Sequence, residues 1–520
     1  MKLGDTQAES TPPLAKLSDL VCVTFNGVWV NGEDIMRYIV SALALSAVVS
    51  CGAEENAPLL ESPESDQASL ALSHMGSPGD VMLQAFAWQS KANGVHGEWY
   101  DLLRTTPNID QFGVVWLPPA SKTIRYDLGE QGDWNSACGY MPLDLRDFGT
   151  YRQWVQNGDG SWYQHAGSET LYGSESELRS LINSLHSRGV KVLADVIVNH
   201  RAARQQNSQG EWAAWGDSSG QIESGYYPWG QNTNDPIQLL DASGGSGGSE
   251  GSWSYGGRTY ANTSTGYAAE IAHWNTTTRD DIKSYLLALK ELGFDGFRWD
   301  LIKGFDPAFL GEYGDYANSY LSVGEWYDYN SRQALMDVVH RSGGKTMTFD
   351  FDLKGDLTWA VKAQDFGGLA AAIHWWPRTQ VTFVDNHDTG RSVGGGQQHN
   401  PIEGDNWGRE RTQAYAYILT HPGIPSVYWY HWQDSGAELR AFIDLMVATR
   451  KAENVVADSA LSVIYAAGPN YEAVIGDPAA GQAIAVAFGD GAWDPSQTHG
   501  ADWTEVYYSS SYRTRVWRKD

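Results

Sequence analysis

Cysteine is scarce in this chain, with three residues among 520. Cys22 and Cys51 lie in an N-terminal region that has the character of a targeting segment, and Cys138 lies far from both. If processing removes or modifies the first two, Cys138 has no partner for an intrachain disulfide. A metal site built from cysteines is excluded for the same reason.

Basic residues are also few. The chain has 36 Lys and Arg against 63 Asp and Glu, which gives a formal net charge of −27. Nucleic-acid binding depends on clustered Lys and Arg side chains that neutralise phosphates. The composition therefore excludes a nucleic-acid partner, and most of the acidic excess is expected on a solvated surface.

One apolar stretch near the N-terminus has the length of a signal peptide. It runs from Met36 to Cys51, begins with a single Arg, and is too short to span a bilayer as a mature helix. Val48-Val-Ser-Cys51 resembles a bacterial lipoprotein box, which predicts acylation of Cys51 and a surface anchor. An ordinary signal peptide cleaved nearby, and hence secretion, is the alternative. Residues 1–50 are thus expected to be an upstream extension and signal peptide, and 51–78 a flexible linker.

Aromatic residues are abundant, with 23 Trp and 27 Tyr. Sugar rings present flat C–H faces that stack on aromatic side chains, and sugar hydroxyls pair with the polar edges of Tyr and Trp. Many of these aromatics must simply fill the core. The composition therefore favours a carbohydrate ligand without identifying which rings bind it.

Short apolar strands alternate with amphipathic helices from about residue 80, a pattern typical of βα units. Apolar residues at helical spacing predict helices around Leu178–Leu185 and Ile282–Leu289. Eight strands with intervening helices predict a (β/α)8 TIM barrel. The candidate strands are Val81–Phe86, Val114–Leu117, Val192–Val198, Phe297–Trp299, Tyr320–Val323, Thr346–Phe351, Val381–Val384 and Ser426–Trp429.

Domain boundaries follow from this pattern. The catalytic barrel is expected to occupy 79–200 and 269–437, interrupted by a polar, Gly- and Ser-rich inserted subdomain at 201–268 that protrudes after strand 3. A last helix and a C-terminal antiparallel β domain are expected in 438–520.

Four apolar runs end in, or carry, a carboxylate: Asp195-Val-Ile-Val-Asn-His200, Gly296-Phe-Arg-Trp-Asp300, Val323-Gly-Glu-Trp326 and Phe383-Val-Asp-Asn-His-Asp388. Because the carboxyl ends of barrel strands meet at one face, these segments predict a single acidic pocket there. Glycoside hydrolysis needs two carboxyl groups beside a cationic transition state, and a third stabilises that charge. Arg298 lies two residues before Asp300, on the same face of a strand, and is expected to keep Asp300 ionised.

These four segments resemble the four signature regions of the α-amylase family of retaining glycoside hydrolases. The resemblance extends from about residue 80 to 450 and includes Gly139-Tyr-Met-Pro-Leu-Asp-Leu-Arg-Asp-Phe148, which is similar to bacterial liquefying amylases. Thr382-Phe-Val-Asp-Asn-His-Asp-Thr-Gly390 is similar to maltooligosaccharide-forming amylases.

The resemblance implies a role for each matching residue. Asp300 is the implied nucleophile, Glu325 the general acid/base and Asp388 the transition-state stabiliser, with Asp195 as a supporting carboxylate. The implied substrate-binding residues are Tyr140, Asp195, His200, Arg298, Lys303 and His387.

The resemblance also implies a Ca²⁺ ion between the barrel and the inserted subdomain, since family members bind one there. Asn199 matches the side-chain ligand of the family and Gly304 the position of a backbone carbonyl ligand. The segment expected to supply an Asp has Glu270 at the nearest position, which departs from the family pattern and changes the geometry.

Three functional hypotheses are compatible with the sequence. The first is an endo-acting α-amylase that hydrolyses internal α-1,4-glucosidic bonds of starch- or glycogen-type glucans. The second is an exo-acting maltooligosaccharide-forming amylase or a transglycosylase of the same family. The third is a non-catalytic, surface glucan-binding lipoprotein. We expect an exported monomer, in contact with the membrane only through a lipid at Cys51.

Overall fold

The computed structural model describes residues 81–88, 90, 99–123, 139–140, 142–149, 154–156, 162–164, 170–201, 205–206, 212–213, 251–263, 269–329, 331–372, 377–391, 400–402, 407–491 and 493–520. The signal peptide, the linker and most of the insert expected at 201–268 lie outside the described residues.

Eight parallel strands form a closed barrel in the order β1-β8-β7-β6-β5-β4-β3-β2. All eight predicted strands are therefore confirmed, with ends shifted by at most two residues. Their bounds are β1 Met82–Gln84, β2 Val114–Trp116, β3 Lys191–Val196, β4 Gly296–Trp299, β5 Ser322–Gly324, β6 Met347–Phe349, β7 Gln380–Phe383 and β8 Ile424–Tyr428.

The strands read as continuous apolar runs because the barrel buries them on both faces. Every residue of β1, β2, β4, β5, β6, β7 and β8 is buried. Gly296 marks one close approach between strands, since a Cβ placed there would lie 2.1 Å from the Leu321 carbonyl oxygen. No larger residue fits at that point of β4.

Helices surround the barrel and carry ordinary end signals. The second, α2, begins with a capping box in which the Ser174 side chain accepts from the Glu177 backbone N–H. The third, α3, begins at the Asn275 cap and ends at Gly293, which has a φ of 111°. The helices described are α1 Trp99–Thr105, α2 Glu175–Ser187, α3 Thr276–Leu292, α4 Ala308–Ala317, α5 Arg332–Arg341, α6 Phe351–Ala363, α7 Trp407–Thr420, α8 Ala437–Ala452 and α9 Ser496–His499.

Short antiparallel pairs occur in the loops of the first half of the chain. The hairpin Ser252–Tyr255 with Arg258–Ala261 lies in the insert, and Ala269–Glu270 then pairs with His200–Arg201. The remaining pairs are Lys122–Thr123 with Pro142–Asp144, Trp154–Gln156 with Trp162–Gln164, and Gln205–Gln206 with Trp212–Ala213.

A five-stranded antiparallel sheet follows α8, in the order β9-β10-β11-β13-β12. The predicted C-terminal β domain is thereby confirmed. Its strands are β9 Leu461–Ala467, β10 Asn470–Asp477, β11 Gln482–Phe488, β12 Trp503–Ser509 and β13 Thr514–Lys519. None of the helices in the described part of the chain combines the length and the apolarity needed to cross a membrane.

Candidate active site

Arg298 lies at the centre of the acidic pocket and is completely buried. Its Nη1 lies 2.8 Å from Asp195 Oδ1 and 2.8 Å from Asp300 Oδ1, and its Nη2 lies 2.8 Å from Glu325 Oε2. Three carboxylates from three neighbouring strand ends therefore share one guanidinium. The sequence predicted the pairing with Asp300, and the barrel adds the other two partners.

Asp195 is held by two further donors. The Tyr140 hydroxyl donates to Asp195 Oδ2 at 2.6 Å, and the Trp116 indole N–H donates to the same oxygen at 3.0 Å. Both rings also lie beside the Arg298 guanidinium, at 5.6 and 4.9 Å from their centroids. These contacts fix Tyr140 against the acidic cluster.

Asp388 joins the pocket through its neighbour His387. His387 Nε2 lies 3.4 Å from an Asp388 carboxylate oxygen, and the His387 ring stacks on Tyr140 with centroids 5.0 Å apart. The Asp388 side chain remains 23% exposed, whereas those of Asp300 and Glu325 are 9% and 5% exposed. The structure thus brings the three implied catalytic carboxylates into one cleft, with Asp388 the most accessible.

The remaining implied substrate-binding residues lie around the same cleft. His200 Nε2–H donates to the Tyr140 carbonyl oxygen at 2.9 Å. Lys303 Nζ donates to the Tyr327 carbonyl oxygen at 3.1 Å and lies 5.3 Å from the Trp326 ring centroid, on the side of Glu325. All six residues implied as substrate-binding therefore belong to this region.

The turn after β4 orients Glu325. Leu301 has a φ of 45°, which is unusual for a residue with a branched side chain, and its backbone N–H donates to Glu325 Oε2 at 3.2 Å. Glu325 Oε1 is buried and has no hydrogen-bond partner among the described residues. One oxygen is thus fixed, and the other remains for a proton or a ligand.

The pocket has more negative than positive groups. Burial raises the pKa of Asp300 well above its ordinary value, the charges of Glu325 and Asp195 raise it further, and Arg298 opposes the rise. Burial, together with the charge of Glu325, raises the pKa of Asp388 to about 8. Arg298 binds Asp300 as expected, but one cation shared among several carboxylates does not by itself keep Asp300 ionised. The crowding of carboxyl groups instead raises the pKa values of Asp300 and Asp388.

The two histidines of the site are neutral. Burial lowers the pKa of His200 to about 4 and lowers the pKa of His387 well below its ordinary value, where the charge of Arg298 adds to the effect. Neutral imidazoles add no positive charge to the cleft and serve as hydrogen-bonding groups.

Sequence reasoning missed two residues of the site. Gln84 Nε2 lies 2.8 Å from His387 Nδ1, and Trp116 donates to Asp195 as described above. Gln84 is a lone polar residue in the apolar strand β1, and that pattern was a usable signal. Trp116 offered none, because a tryptophan at a strand end is equally typical of the core.

The residues implied as calcium ligands also come together. Glu270 pairs with His200 across two short strands, next to Asn199. A Cβ at Gly304 would lie 1.6 Å from Asn199 Oδ1, so a larger residue at this position would displace the Asn199 amide. The described residues contain no cluster of three or more His, Cys, Asp or Glu side chains suited to a metal. An ion here would depend on amide and backbone oxygens as well as a carboxylate.

Comparisons with known proteins agree with this geometry. The sequence profile of the "Alpha amylase, catalytic domain" family matches residues 163–440. The chain is 29% identical to a probable α-amylase 2 of Arabidopsis thaliana over 85% of this chain and 94% of the relative. It is 28% identical to a glucan 1,4-α-maltotetraohydrolase of Stutzerimonas stutzeri, over 84% and 73%.

A solved structure, an α-amylase from Malbranchea cinnamomea, matches the fold with a TM-score of 0.55 and 16% identity, over 85% of this chain and 96% of that one. The closed barrel, the C-terminal sheet and the match to the family profile lead to one conclusion: this chain belongs to the α-amylase family and is a glycoside hydrolase.

Proposed function

We propose that this enzyme is an α-amylase that hydrolyses internal α-1,4-glucosidic bonds of starch- and glycogen-type glucans with retention of configuration. The observation that carries the proposal is the shared guanidinium: Asp300 and Glu325 both lie 2.8 Å from terminal nitrogens of Arg298. Retaining enzymes need two carboxyl groups about 5–5.5 Å apart, closer than the pair in inverting enzymes. Two carboxyl groups that both bind one planar guanidinium must lie close together, which suits the separation found in retaining enzymes.

In the proposed mechanism, Asp300 attacks the anomeric carbon while Glu325 protonates the leaving glycosidic oxygen. Glu325 then takes a proton from a water molecule, which releases the sugar from Asp300. The Glu325 oxygen that has no hydrogen-bond partner among the described residues is available for both proton transfers. Asp388 stabilises the cationic transition state.

The aromatic and basic residues position the sugar in this proposal. Tyr140 offers a ring for stacking at the cleavage point, and the neutral imidazoles of His200 and His387 bind hydroxyl groups. Lys303, next to the Trp326 ring beside Glu325, is assigned to the leaving-group side in this proposal. Asp195 supports Arg298 and Tyr140 rather than the reaction itself.

A Ca²⁺ ion fits the Asn199 region. The Asn199 amide nitrogen lies 3.3 Å from His200 Nδ1, which turns the buried Oδ1 away with no hydrogen-bond partner in the described part of the chain. Such an oxygen suits a hard cation. Asn199, Glu270 and the Gly304 backbone would hold the ion, which would stabilise the loops beside the cleft and take no part in bond cleavage.

Substitution of the nucleophile tests the catalytic assignment. Asp300→Asn is expected to lower kcat by about 10⁴-fold while soluble-glucan binding persists, because the amide cannot form the covalent intermediate. Asp315→Asn, an exposed carboxylate on α4, is the matched control and should leave kcat unchanged. Wild-type turnover by Asp300→Asn would overturn the assignment. A folded wild-type protein that binds glucan without cleaving it would instead support the non-catalytic lipoprotein.

Proton NMR of the first product tests retention. We expect the α-anomer of the maltooligosaccharide to appear first, since two displacements restore the configuration. An initial β-anomer would contradict the double displacement.

An exo-acting enzyme is the alternative. Relatives named as a maltotetraohydrolase and a maltohexaosidase match the chain over 84% and 68% of its length, which supports it. A relative named as a cyclomaltodextrin glucanotransferase matches 50% of the chain, which supports a transglycosylase as a further alternative. Products from soluble starch, sized over time, distinguish the three: a broad ladder indicates endo action, one dominant oligomer exo action, and cyclic or elongated products transglycosylation.

We also propose that the enzyme is exported and anchored by acylation of Cys51, on the evidence of the apolar segment and lipobox that precede the barrel. Labelling with a radioactive fatty acid should mark the wild type and not Cys51→Ala. Equal labelling of both, or of neither, would favour simple secretion.

A further inference from the structure

A second buried ion pair lies behind the cleft, apart from the Arg298 cluster. Lys354 Nζ lies 2.7 Å from Asp385 Oδ1, and both side chains have no exposed surface. Removing two charges from water is costly, and the attraction between them offsets this cost only with good geometry and further hydrogen bonds. The proposed mechanism gives neither residue a role, so the pair needs its own explanation.

Asp385 is the first residue of the turn that carries Asp388, two residues after the end of β7. Its Oδ1 accepts from the Thr389 hydroxyl at 2.8 Å, and its Oδ2 accepts from the Ile402 backbone N–H at 3.0 Å. Within the turn, Asn386 Oδ1 accepts from the backbone N–H groups of Asp388 and Thr389. The carboxylate of Asp385 therefore closes the turn at Thr389 and links it to the backbone at Ile402.

Lys354 connects this turn to two other parts of the barrel. It lies on α6, which follows β6, whereas Asp385 follows β7. Its ammonium also donates to the Thr358 hydroxyl and to the Asn400 carbonyl oxygen, each at 2.9 Å. The three donor positions of one ammonium thus link α6, the Asp388 turn and the chain beyond it.

We propose that Lys354 is a positioning residue that acts through Asp385 to hold His387 and Asp388 at the cleft. The proposal rests on the role proposed above for Asp388. Lys354 is fully buried, and its ammonium binds Asp385, Thr358 and Asn400, so the route from Lys354 to Asp388 runs through the turn that Asp385 holds. A displacement of about 1 Å in a catalytic group can cost about 10²-fold in rate, which sets the scale of the expected effect.

The test compares Lys354→Met with the wild type under conditions where both are folded by circular dichroism. Methionine keeps an unbranched apolar side chain, one atom shorter than that of lysine, and removes the charge and the donors. We expect kcat to fall about 10- to 100-fold while KM changes less than threefold, because Asp388 acts in the transition state. A role confined to stability would lower the melting temperature and leave the kcat of the folded enzyme unchanged.

Two further variants separate folding from catalysis. Lys354→Met combined with Asp385→Asn removes both charges, so it should be more stable than Lys354→Met alone while its kcat stays low. Arg450→Met is the matched control. Arg450 is a fully buried cation that donates to the carbonyl oxygens of Leu419, His421 and Gly423, before β8 begins and so at the opposite end of the barrel. It should lower stability without lowering the kcat of the folded protein.

The outcomes also separate this inference from the proposed function. If Asp388→Asn is inactive and a folded variant lacking the Lys354 ammonium has wild-type kcat, the positioning role is wrong and the mechanism stands. If Asp388→Asn retains wild-type kcat, the role of Asp388 fails, and the inference fails with it. The positioning role of Lys354 is supported if kcat is low and KM unchanged both in Lys354→Met and in its combination with Asp385→Asn, but not in Arg450→Met.

Discussion

At the scale of single residues, the active site depends on one shared cation. Arg298 binds Asp195, Asp300 and Glu325 at once, and no exposed surface remains on its side chain. The spacing of Arg298 and Asp300 in the sequence predicted one of these contacts. The other two require strands β3 and β5 to flank β4, which the registers of the barrel provide.

The contact of Gln84 with His387 is expected to contribute to activity. The contact of the Gln84 amide with Nδ1 favours the His387 tautomer that carries its proton on Nε2, the nitrogen near Asp388. Gln84→Leu removes this bias, and we expect kcat/KM to fall about tenfold, the size of one buried hydrogen bond. Steady-state kinetics on a soluble maltooligosaccharide measure the change.

The control for Gln84 is Gln111→Leu. Gln111 makes a similar amide contact with Asp444, before β2 begins and so at the end of the barrel opposite the cleft. Equal losses of kcat/KM in both variants would mean that Gln84 acts through general stability and not through His387.

At the scale of elements, the returning hairpin of the insert supports the strand end that carries Glu325. Trp253 and Tyr260 stack on each other and pack edge-on against Trp326, with centroids 5.7 and 5.9 Å from it. The hairpin is fixed to α5 by Arg258, whose two N–H groups lie 2.6 and 2.7 Å from the Asp337 carboxylate oxygens. The hairpin is therefore part of the wall beside Glu325.

The start of α6 gives the element-scale prediction. Asp350 caps this helix by accepting from the Leu353 N–H at 2.9 Å, and burial raises the pKa of Asp350 to about 7. In the unfolded chain the pKa is near 3.9. The folded state thus binds more protons between pH 4 and 7, and the Asp350 contribution to stability is lost as the pH rises through that window.

Asp350→Asn keeps a good capping oxygen and removes the buried charge. We expect it to stabilise the protein at pH 8 by about 2–4 kcal/mol relative to the wild type, from about 1.4 kcal/mol per pKa unit, and by little at pH 4.5. Denaturant unfolding at both pH values provides the measurement. A stability difference that is the same at both pH values would contradict the raised pKa.

At the scale of the whole molecule, the barrel joins residues that are distant in the chain. Gln84 and His387 are 303 positions apart, and Asp195 and Arg298 are 103 apart. Ala269–Glu270 pairs with His200–Arg201, directly after Asn199 in the chain. A bound ion at that junction would tie the insert to the barrel.

Removal of calcium is the prediction at this scale. A chelator should lower the melting temperature and the activity together, and added Ca²⁺ should restore both, because a ligand that binds only the folded state stabilises it. Asn199→Ala should weaken the response to Ca²⁺. Insensitivity of the wild type to a chelator, in both melting temperature and activity, would remove the ion from the proposal.

Local sequence patterns were enough to predict the eight barrel strands, the helices around Leu178–Leu185 and Ile282–Leu289, and the four carboxylate-bearing segments. Apolar runs and helical spacing are local patterns, so they predicted eight strands within a few residues of their observed ends. Motif order then predicted the family. Neither source of information reached the side chains behind the cleft.

The three-dimensional fold was needed to establish which charged groups share a partner. Three contacts connect side chains from different βα units of the barrel. They are the ion pairs of Arg298 with three carboxylates, the contact of Gln84 with His387 and the buried ion pair of Lys354 with Asp385. Such contacts depend on closure and register of the barrel, which place side chains from separate strands within hydrogen-bonding distance. Local sequence patterns carry no information about those distances.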